Sequence, residues 1–197
     1  MVAFCNDASL QLTTELTLEA VFLRDTTHGE NVGIASKYIG AGNQRGYSMY
    51  MNTAEQLGFV LSRDGDTTPL TTLECTTITD VDTWYYAAGR YKASDTTAEL
   101  RLNDAEEAAT GAAITSIKNS SAEFAIGVQY SFISSFAWGG QIDEVRLSKI
   151  KRTDDWCDAT YYGLFDNLIT LVAGVAEGVA PTATLYGPMV GPLGGPI

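Results

Sequence analysis

Apolar and polar residues alternate in short runs along most of the chain, from about residue 16 to residue 148. A period of two places every second side chain on one face, which is typical of half-buried antiparallel strands. The clearest runs are residues 16–22, 47–51 and 57–61, and residues 52–56 form the loop between the last two. Further runs bring the predicted strands to about nine, at residues 32–39, 72–79, 84–91, 97–103, 123–128 and 140–148. This pattern predicts an all-β fold, a two-sheet antiparallel jelly-roll sandwich.

One short helix is expected after the last of these strands. Between residues 16 and 148 apolar residues do not recur at helical spacing over any extended stretch. Thr153 or Asp154 can cap a first turn that includes Trp156, since a short polar side chain accepts hydrogen bonds from the first amides of a helix. The sequence therefore predicts a helix that begins near Thr153.

The last part of the chain differs in composition from the rest. Residues 164–197 hold four of the five prolines, many glycines and only two charged residues, Asp166 and Glu177. Proline removes a backbone donor and fixes φ, so residues 181–197 are predicted to form neither a helix nor a central strand. We therefore divide the chain into a β-sandwich, residues 1–163, and an extended apolar Gly/Pro-rich C-terminal tail, residues 164–197.

A tail with so little charge has to be covered by something, because disordered tails are polar or highly charged. Its cover is either its own sandwich or a neighbouring subunit, and the complete strand set of the sandwich favours the neighbour. The apolar stretch 168–180 is shorter than the about 20 residues that cross a bilayer, and Glu177 interrupts it. We expect protein subunits as partners through residues 164–197, in a homo-oligomer or a larger assembly, and no membrane contact.

The chain is acidic, with 12 basic and 24 acidic residues and a net charge of −12. Nucleic-acid binding needs clustered Lys and Arg, so a nucleic-acid partner is not expected. The charge fits solubility, or an acidic face for a cation or a basic partner. The three cysteines form no Cys-x-x-Cys pair, so neither a zinc site nor a redox motif is indicated.

Four short motifs occur in the order of a known family. Residues 84–91 begin with Trp and run through Ala to Tyr, and residues 98–103 form a Leu-x-Leu strand that ends in Asn. Residues 126–127 are Ile-Gly, and residues 140–146 read G-Q-I-D-E-V-R. With these motifs the chain resembles the laminin-G-like, concanavalin A-like lectin/glucanase superfamily, from about residue 10 to residue 163. The resemblance implies a binding sandwich rather than an enzyme.

Two details of the resemblance concern turns and cysteines. Asp104 follows Asn103 where the family pattern has Gly, although Asn and Asp tolerate a positive φ. The first and last strands of such sandwiches often lie side by side, so the resemblance leaves a bridge between Cys5 and Cys157 open.

The residues that hydrolysis would require are missing from the sequence. Hydrolases of this superfamily carry a pattern resembling E-x-D-x-x-E, because retaining hydrolysis needs two carboxyl groups about 5 Å apart. Here Asp143 and Glu144 are adjacent, hence predicted on opposite faces of a strand, and Glu106 and Glu107 are adjacent in a predicted turn. His28, the only histidine, cannot build a multi-histidine zinc site. We therefore expect no catalytic residues.

Aromatic residues before the G-Q-I-D-E-V-R motif are candidates for ligand binding. Sugar rings stack on exposed aromatic faces, while polar neighbours orient their hydroxyl groups. Tyr130, Phe136 and Trp138 cluster in a serine-rich stretch and are predicted to bind a ligand. The alternative is that two or three of these aromatics only close the end of the sandwich.

Calcium is the candidate cofactor. The resemblance implies that Asp143, in the D-x-V-R setting of the last strand, holds a structural Ca²⁺ together with backbone carbonyls from near the N-terminus. Hard oxygen ligands suit this ion. The alternative is that Asp143 accepts hydrogen bonds from backbone amides or from Arg146.

Two functional hypotheses follow. The first is a non-enzymatic accessory protein of a virus particle, capsid-decorating or tail-associated, that is located on the virion and anchored through residues 164–197. Residues 1–7 show no secretory signal, so we expect no leader, and the nearly uncharged tail needs a surface. The alternative is a soluble or secreted, extracellular glycan-binding module. A glycoside hydrolase is the weakest candidate.

Overall fold

A computed structural model describes residues 2–4, 6–111, 114–129, 134–165, 169–171 and 183–185. The chain divides into two compact units, Met1–Arg152 and Thr153–Ile197. The predicted boundary at residue 163 and the docking role of the tail remain predictions. Most of the tail lies outside the described residues. Cys5, near the other end of the chain, lies outside them as well.

The first unit is a two-layer β-sandwich. One sheet has six strands in the order β1-β10-β3-β4-β5-β6, and the other has five in the order β11-β2-β7-β8-β9, with antiparallel pairing between the neighbours of both sheets. The strands are β1 Val2–Phe4, β2 Glu15–Arg24, β3 Val32–Ile39, β4 Gln44–Met51, β5 Gln56–Ser62, β6 Leu70–Ile78, β7 Trp84–Lys92, β8 Thr97–Leu102, β9 Ala105–Gly111, β10 Phe124–Ile126 and β11 Gly140–Ser148. Two single 3₁₀ turns, Ala8–Leu10 and Ser134–Phe136, complete this unit. The predicted jelly-roll class is confirmed.

The core lies between the inner faces of the two sheets. Alternate residues of β2, β4 and β5 point into it, and they are at most 1 % exposed: Leu16, Leu18, Ala20, Phe22, Tyr47, Met49, Met51, Leu57, Phe59 and Leu61. These are the residues that the alternation placed on one face, because a strand turns every second side chain to the same side. Burying this many large apolar side chains is the main source of stability for such a sandwich.

One predicted turn is wrong. Glu106 and Glu107 lie in strand β9, because the chain has already reversed at Asn103, which has a φ of 57°. The Asn103 side chain accepts a hydrogen bond from the amide of Tyr86 (3.0 Å), and its own amide donates to the Tyr86 carbonyl (2.8 Å). Pairing to the neighbouring strand fixes this reversal, so the residues after it form an additional edge strand.

The second unit contains helix α1, Asp154–Leu164, and a two-stranded antiparallel sheet of β12, Ile169–Leu171, and β13, Ala183–Leu185. The predicted helix start is confirmed, since the Thr153 hydroxyl accepts a hydrogen bond from the amide of Trp156 (3.3 Å). β13 belongs to a sheet of two strands and is therefore not a central strand. No helix in the described part of the chain has the length and apolar character needed to cross a membrane.

Candidate functional site

The outer face of the six-stranded sheet carries a second, smaller cluster of buried residues. Tyr38, Tyr50 and Val60 pack together there with Leu70, apart from the main core. The Tyr50 hydroxyl donates to a carboxylate oxygen of Glu74 (2.9 Å). This outer face is therefore structured by aromatic and polar side chains rather than simply exposed to solvent.

A short segment, residues 127–129, crosses this face and forms a wall. Strand β10 ends at Ile126, and Gly127, with a φ of 77°, turns the chain while its amide still donates to the Ile34 carbonyl (2.9 Å). The carbonyl of Val128 accepts from the Ser36 hydroxyl (2.8 Å). Hydrogen bonds from Gln129 to Phe136 and from Trp138 to Gly127 then pair the wall with the returning chain (3.2 and 2.9 Å).

The position of the wall depends on a glycine in β3, Gly33. A Cβ atom at Gly33 would lie 2.3 Å from the carbonyl carbon of Val128 and 2.5 Å from the amide nitrogen of Gln129. Non-bonded atoms do not approach each other this closely. Only glycine at position 33 therefore lets the backbone of β3 come so near to the backbone of residues 128–129. The sequence of β3 thus fixes where the wall stands.

A groove of about 330 Å³ lies between the wall and strands β3 and β10. Its lining consists of Ser36, Tyr38, Ile39, Ser121, Glu123, Ala125, Val128 and Gln129. Ser36, Ala125 and Gln129 are buried at its floor, whereas Ser121 and Glu123 are exposed at its rim. The volume is at the lower end of the range for small-molecule sites.

One buried polar side chain, Gln129, borders the groove and also contacts the sheet beneath it. The Gln129 side-chain amide donates to the Ser48 hydroxyl (3.0 Å), while its carboxamide oxygen has no hydrogen-bond partner among the described residues. Gln129 is only 2 % exposed. The oxygen itself is inaccessible to solvent, so the Gln129 side chain helps to build the wall beside the groove.

The predicted aromatic site is not brought into the groove. Tyr130 lies outside the described residues, and neither Phe136 nor Trp138 is among the groove-lining residues. Trp138 points into the end of the sandwich, where its indole N–H donates to the Leu23 carbonyl (3.2 Å) and its ring meets Phe22 edge-on at 5.5 Å. This geometry agrees with the alternative in which Trp138 closes the end of the sandwich. The ligand-binding role of Tyr130, Phe136 and Trp138 remains a prediction.

His28 belongs to a buried polar network behind Trp138. Its ring lies 5.1 Å from the indole, its Nδ1 is 3.2 Å from Glu55 Oε2, and its Nε2 accepts from the Gly139 amide (3.4 Å). The Gly139 bond places the proton of a neutral ring on Nδ1, where it donates to Glu55. Arg24 also pairs with Glu55 (3.5 Å). The histidine thus holds loops together, and its hydrogen-bond partners among the described residues are Glu55 and Gly139, neither of which is a nucleophile.

Asp143 is exposed on β11 at a β-bulge, where Glu144 has a φ of 50°. The bulge interrupts the strict alternation of the strand. One carboxylate oxygen of Asp143 accepts from the Glu144 amide (2.8 Å), and Arg146 pairs with Glu144 instead (2.5 Å). In the described ranges, no third acid, histidine or cysteine groups around Asp143. Calcium takes six to eight oxygen ligands, which here would have to come largely from backbone carbonyls, and the calcium site stays a prediction.

A second cavity, of about 340 Å³, lies at the edge of the sandwich between β10 and β11. Its lining is mostly apolar, with Leu10, Phe124, Ile126, Val145 and Leu147 beside Asp7 and Ser9. A sugar, which carries many hydroxyl groups, would find few partners there.

The strands form a jelly-roll sandwich, and the outer face of its six-stranded sheet carries the groove beside residues 127–129. The model of the concanavalin A-like lectin/glucanase superfamily matches residues 2–156, and the chain belongs to this family. No curated protein sequence matches the chain.

Several solved structures share the fold. A CBM40 domain of the Ruminococcus gnavus IT-sialidase, bound to α2,3-sialyllactose, is 15 % identical with a TM-score of 0.65, over 78 % of this chain and 86 % of that domain. Domain 4 of a Geobacillus stearothermophilus arabinanase, in complex with arabinotriose, is 13 % identical with a TM-score of 0.57, over 77 % and 68 %. A heptameric pentraxin of Limulus polyphemus is 15 % identical with a TM-score of 0.56, over 77 % and 71 %. At these identities the likeness establishes the fold.

Sequence reasoning missed the groove because its parts are far apart. Ser36 and the Val128 carbonyl that it binds are 92 positions apart. One signal was available, since Gly33 interrupts a predicted strand and a glycine in a strand often marks a close backbone approach.

Proposed function

We propose that the protein is a non-enzymatic module that binds a carbohydrate in the groove beside residues 127–129. The groove itself carries this proposal, because it combines a defined wall with hydroxyl, carboxylate and carboxamide groups at its floor and rim. Family membership supports it, and so do two structural neighbours that were solved with bound sugars. An extracellular location is the corresponding proposal for where the protein works.

The lining suits a sugar better than an apolar ligand. Hydroxyl groups of a sugar both donate and accept, and Ser36, Ser121 and Gln129 offer matching groups. Tyr38 adds an aromatic edge, with Arg45 lying 5.8 Å above its ring. The small volume fits one sugar residue, so we expect an affinity in the about micromolar to millimolar range that is typical of few contacts.

Binding without turnover agrees with the charges at the groove. Glu123 is the only carboxylate among the described lining residues. Glycoside hydrolysis by the common mechanisms uses a pair of carboxyl groups, about 5 to 10 Å apart. A single acid at the rim can orient a hydroxyl group but supplies no partner for acid and base steps.

The virion hypothesis rests on the tail, most of which lies outside the described residues. The structural neighbours give it no support, whereas they support its alternative, the glycan-binding module. We therefore carry the glycan-binding module forward as the proposed function.

A groove-filling variant tests the proposal with the full-length chain. Ala125→Trp places a large ring in the groove, while Thr72→Trp, on an exposed position of the same sheet face, is the matched control. Glycan-array screening identifies a ligand, and isothermal titration calorimetry then measures its affinity. We expect Ala125→Trp to weaken binding by about tenfold or more, because it occupies the ligand volume, and Thr72→Trp to leave it unchanged.

Ser121→Trp at the exposed rim provides a second block that disturbs no buried residue. Thermal unfolding confirms that each variant is folded. The proposal fails if no glycan binds at millimolar concentration, or if both groove variants bind as tightly as the parent chain.

A further inference from the structure

We propose that Gln44 is a positioning residue of the groove, which fixes Ser121 at the rim and so prepares the site for a sugar. This role rests on the proposed function and adds to it a residue that acts on the ligand only through another residue. It is carried by the way in which residues 117–123, the rim segment, are held in place.

The rim segment comes directly before β10 and belongs to no strand. At its start, the amide of Ile117 donates to the Thr13 carbonyl and the amide of Lys118 donates to the Ser62 carbonyl, both at 2.7 Å. Further along, side chains from other elements bind its backbone in place of a neighbouring strand. A segment without a strand ladder depends on such side chains for its position.

The Gln44 side chain reaches the rim segment from the first residue of β4. Its Oε1 accepts from the backbone amide of Ser121 (2.6 Å) and from the Ser121 hydroxyl (2.9 Å). A backbone N–H only donates, so the Gln44 atom that faces it is the oxygen, and the hydroxyl that shares this oxygen donates as well. One acceptor therefore fixes both the backbone and the side-chain rotation of Ser121, which is exposed and lines the groove.

Lys37 holds the residues on either side of Ser121. Its buried ammonium group donates to the carbonyls of Ser120 (2.9 Å) and Ala122 and to the side-chain oxygen of Asn6 (2.7 Å). An ammonium group has three donors, so these three oxygens use all of them. Ser121 thus lies between two anchored residues.

The effect of Gln44 on a ligand has to pass through Ser121, because Gln44 is not among the described groove-lining residues. A hydroxyl group that is already fixed loses little conformational freedom when a sugar binds, whereas a free one has to be ordered at that moment. The Gln44 contact lies at the exposed rim, where a lost hydrogen bond is replaced by water. Removing it should therefore weaken sugar binding more than it weakens the fold.

Three variants of the full-length chain test this role. Gln44→Met removes the acceptor with little change in length, and Gln44→Glu places an oxygen there again. Gln56→Met is the matched control, because this half-buried glutamine of β5 contacts Asn52 and Thr76 and is not one of the described groove-lining residues. Thermal unfolding confirms that each variant is folded.

Amide hydrogen exchange, followed by NMR, measures the contact without any ligand. The Ser121 amide should exchange slowly in the parent chain although the residue is exposed, because it donates to Gln44. Gln44→Met should raise its exchange rate by about tenfold or more, whereas Gln44→Glu and Gln56→Met should keep the protection. Equal rates in the parent chain and Gln44→Met would overturn the inference.

Binding of neutral sugars gives the second readout. Lactose, diacetylchitobiose and arabinotriose are the probes, and ligand-observed NMR measures their affinities. We expect Gln44→Met to bind about five- to tenfold more weakly, Gln44→Glu to return to within about twofold of the parent chain, and Gln56→Met to bind unchanged. In the background of Ser121→Ala, the loss caused by Gln44→Met should be smaller, since Gln44 acts through Ser121.

The outcomes distinguish the two proposals. If the protein binds none of the three sugars and no other glycan on an array, the proposed function is wrong, and the role of Gln44 fails with it. If a sugar binds but Gln44→Met binds it as tightly as the parent chain, only the role of Gln44 is wrong. The same holds if the effects of Gln44→Met and Ser121→Ala on affinity simply multiply.

Discussion

The two outer faces of the sandwich differ in how their polar groups are paired. On the five-stranded sheet, Arg90 is 1 % exposed and pairs with Glu99 (2.6 Å), and Tyr86 donates to Glu19 (2.7 Å). Residues 149–152 lie over this face, where Lys151 also binds Glu99 (2.5 Å) and the Arg152 carbonyl accepts from Arg90 (3.0 Å). The chain's own charges thus close this face.

The six-stranded sheet shows the opposite arrangement. Its outer face carries a groove whose described lining includes a single charged residue, Glu123. Under the proposed function, the face that carries the groove meets the ligand, whereas the face with the ion-pair network stabilises the fold.

The largest effect is expected on the closed face. Arg90→Met should lower the free energy of unfolding by about 3–5 kcal/mol, because it leaves the acids around it without their buried partner. Urea denaturation measures the change, and Lys92→Met, at a more exposed ion pair with Glu15, is the control at about 1 kcal/mol or less. Sugar binding by the folded fraction should persist. A loss below about 1 kcal/mol for Arg90→Met would mean that this network does not hold the face together.

A smaller loss of stability, with a larger effect on binding, is expected at the wall. Gly33→Ala introduces a Cβ atom against the backbone of Val128, so the free energy of unfolding should fall by about 2–3 kcal/mol and the groove should lose its shape. Gly29→Ala is the matched control, because no atom lies within 4 Å of its added Cβ. Denaturation and sugar titration are measured together. Unchanged binding by Gly33→Ala would show that the wall does not define the site.

The smallest expected effect concerns pH and the buried Lys37 beneath the groove rim. Burial lowers the pKa of Lys37 from 10.5 to about 8. Between these values the unfolded chain holds the proton and the folded chain does not, so Lys37 makes the protein more stable as pH rises through this window, by about 1–2 kcal/mol.

Lys37→Met isolates this contribution. Burial also raises the pKa of Tyr91 to about 12, mainly by desolvation, and that of Cys75 to about 12, which makes stability fall at alkaline pH in both proteins. The difference between the two denaturation profiles from about pH 8 to pH 10.5 therefore reports Lys37 alone. Parallel profiles would show that Lys37 stays charged in the folded state.

Much of the fold could be predicted because it depends on local pattern. Alternation identified the buried faces of β2, β4 and β5, and the predicted strand at residues 140–148 coincides with β11, Gly140–Ser148. β9 was missed because the reversal at Asn103 is fixed by a partner on another strand, Tyr86. Its Ala- and Glu-rich sequence carries no strong strand pattern of its own.

The candidate site could not be predicted in the same way. The sequence places Trp138 near a predicted loop but does not show which way its side chain points. Contacts with Leu23 and Phe22 set that direction. Glu123 begins a predicted strand and Gln129 follows it, and neither residue stands out as a site residue in the sequence. They meet Ser36 only when β10 pairs with β3, which no local pattern reveals.

The glycine beneath the wall has a practical consequence for anyone who wishes to redirect this protein to another ligand. A combinatorial library should keep position 33 constant and diversify Ser121 and Glu123, which are exposed and lie outside the interior. The scaffold separates positions that must be inherited unchanged from positions that tolerate variation. One sandwich can in this way present many different recognition surfaces without being rebuilt.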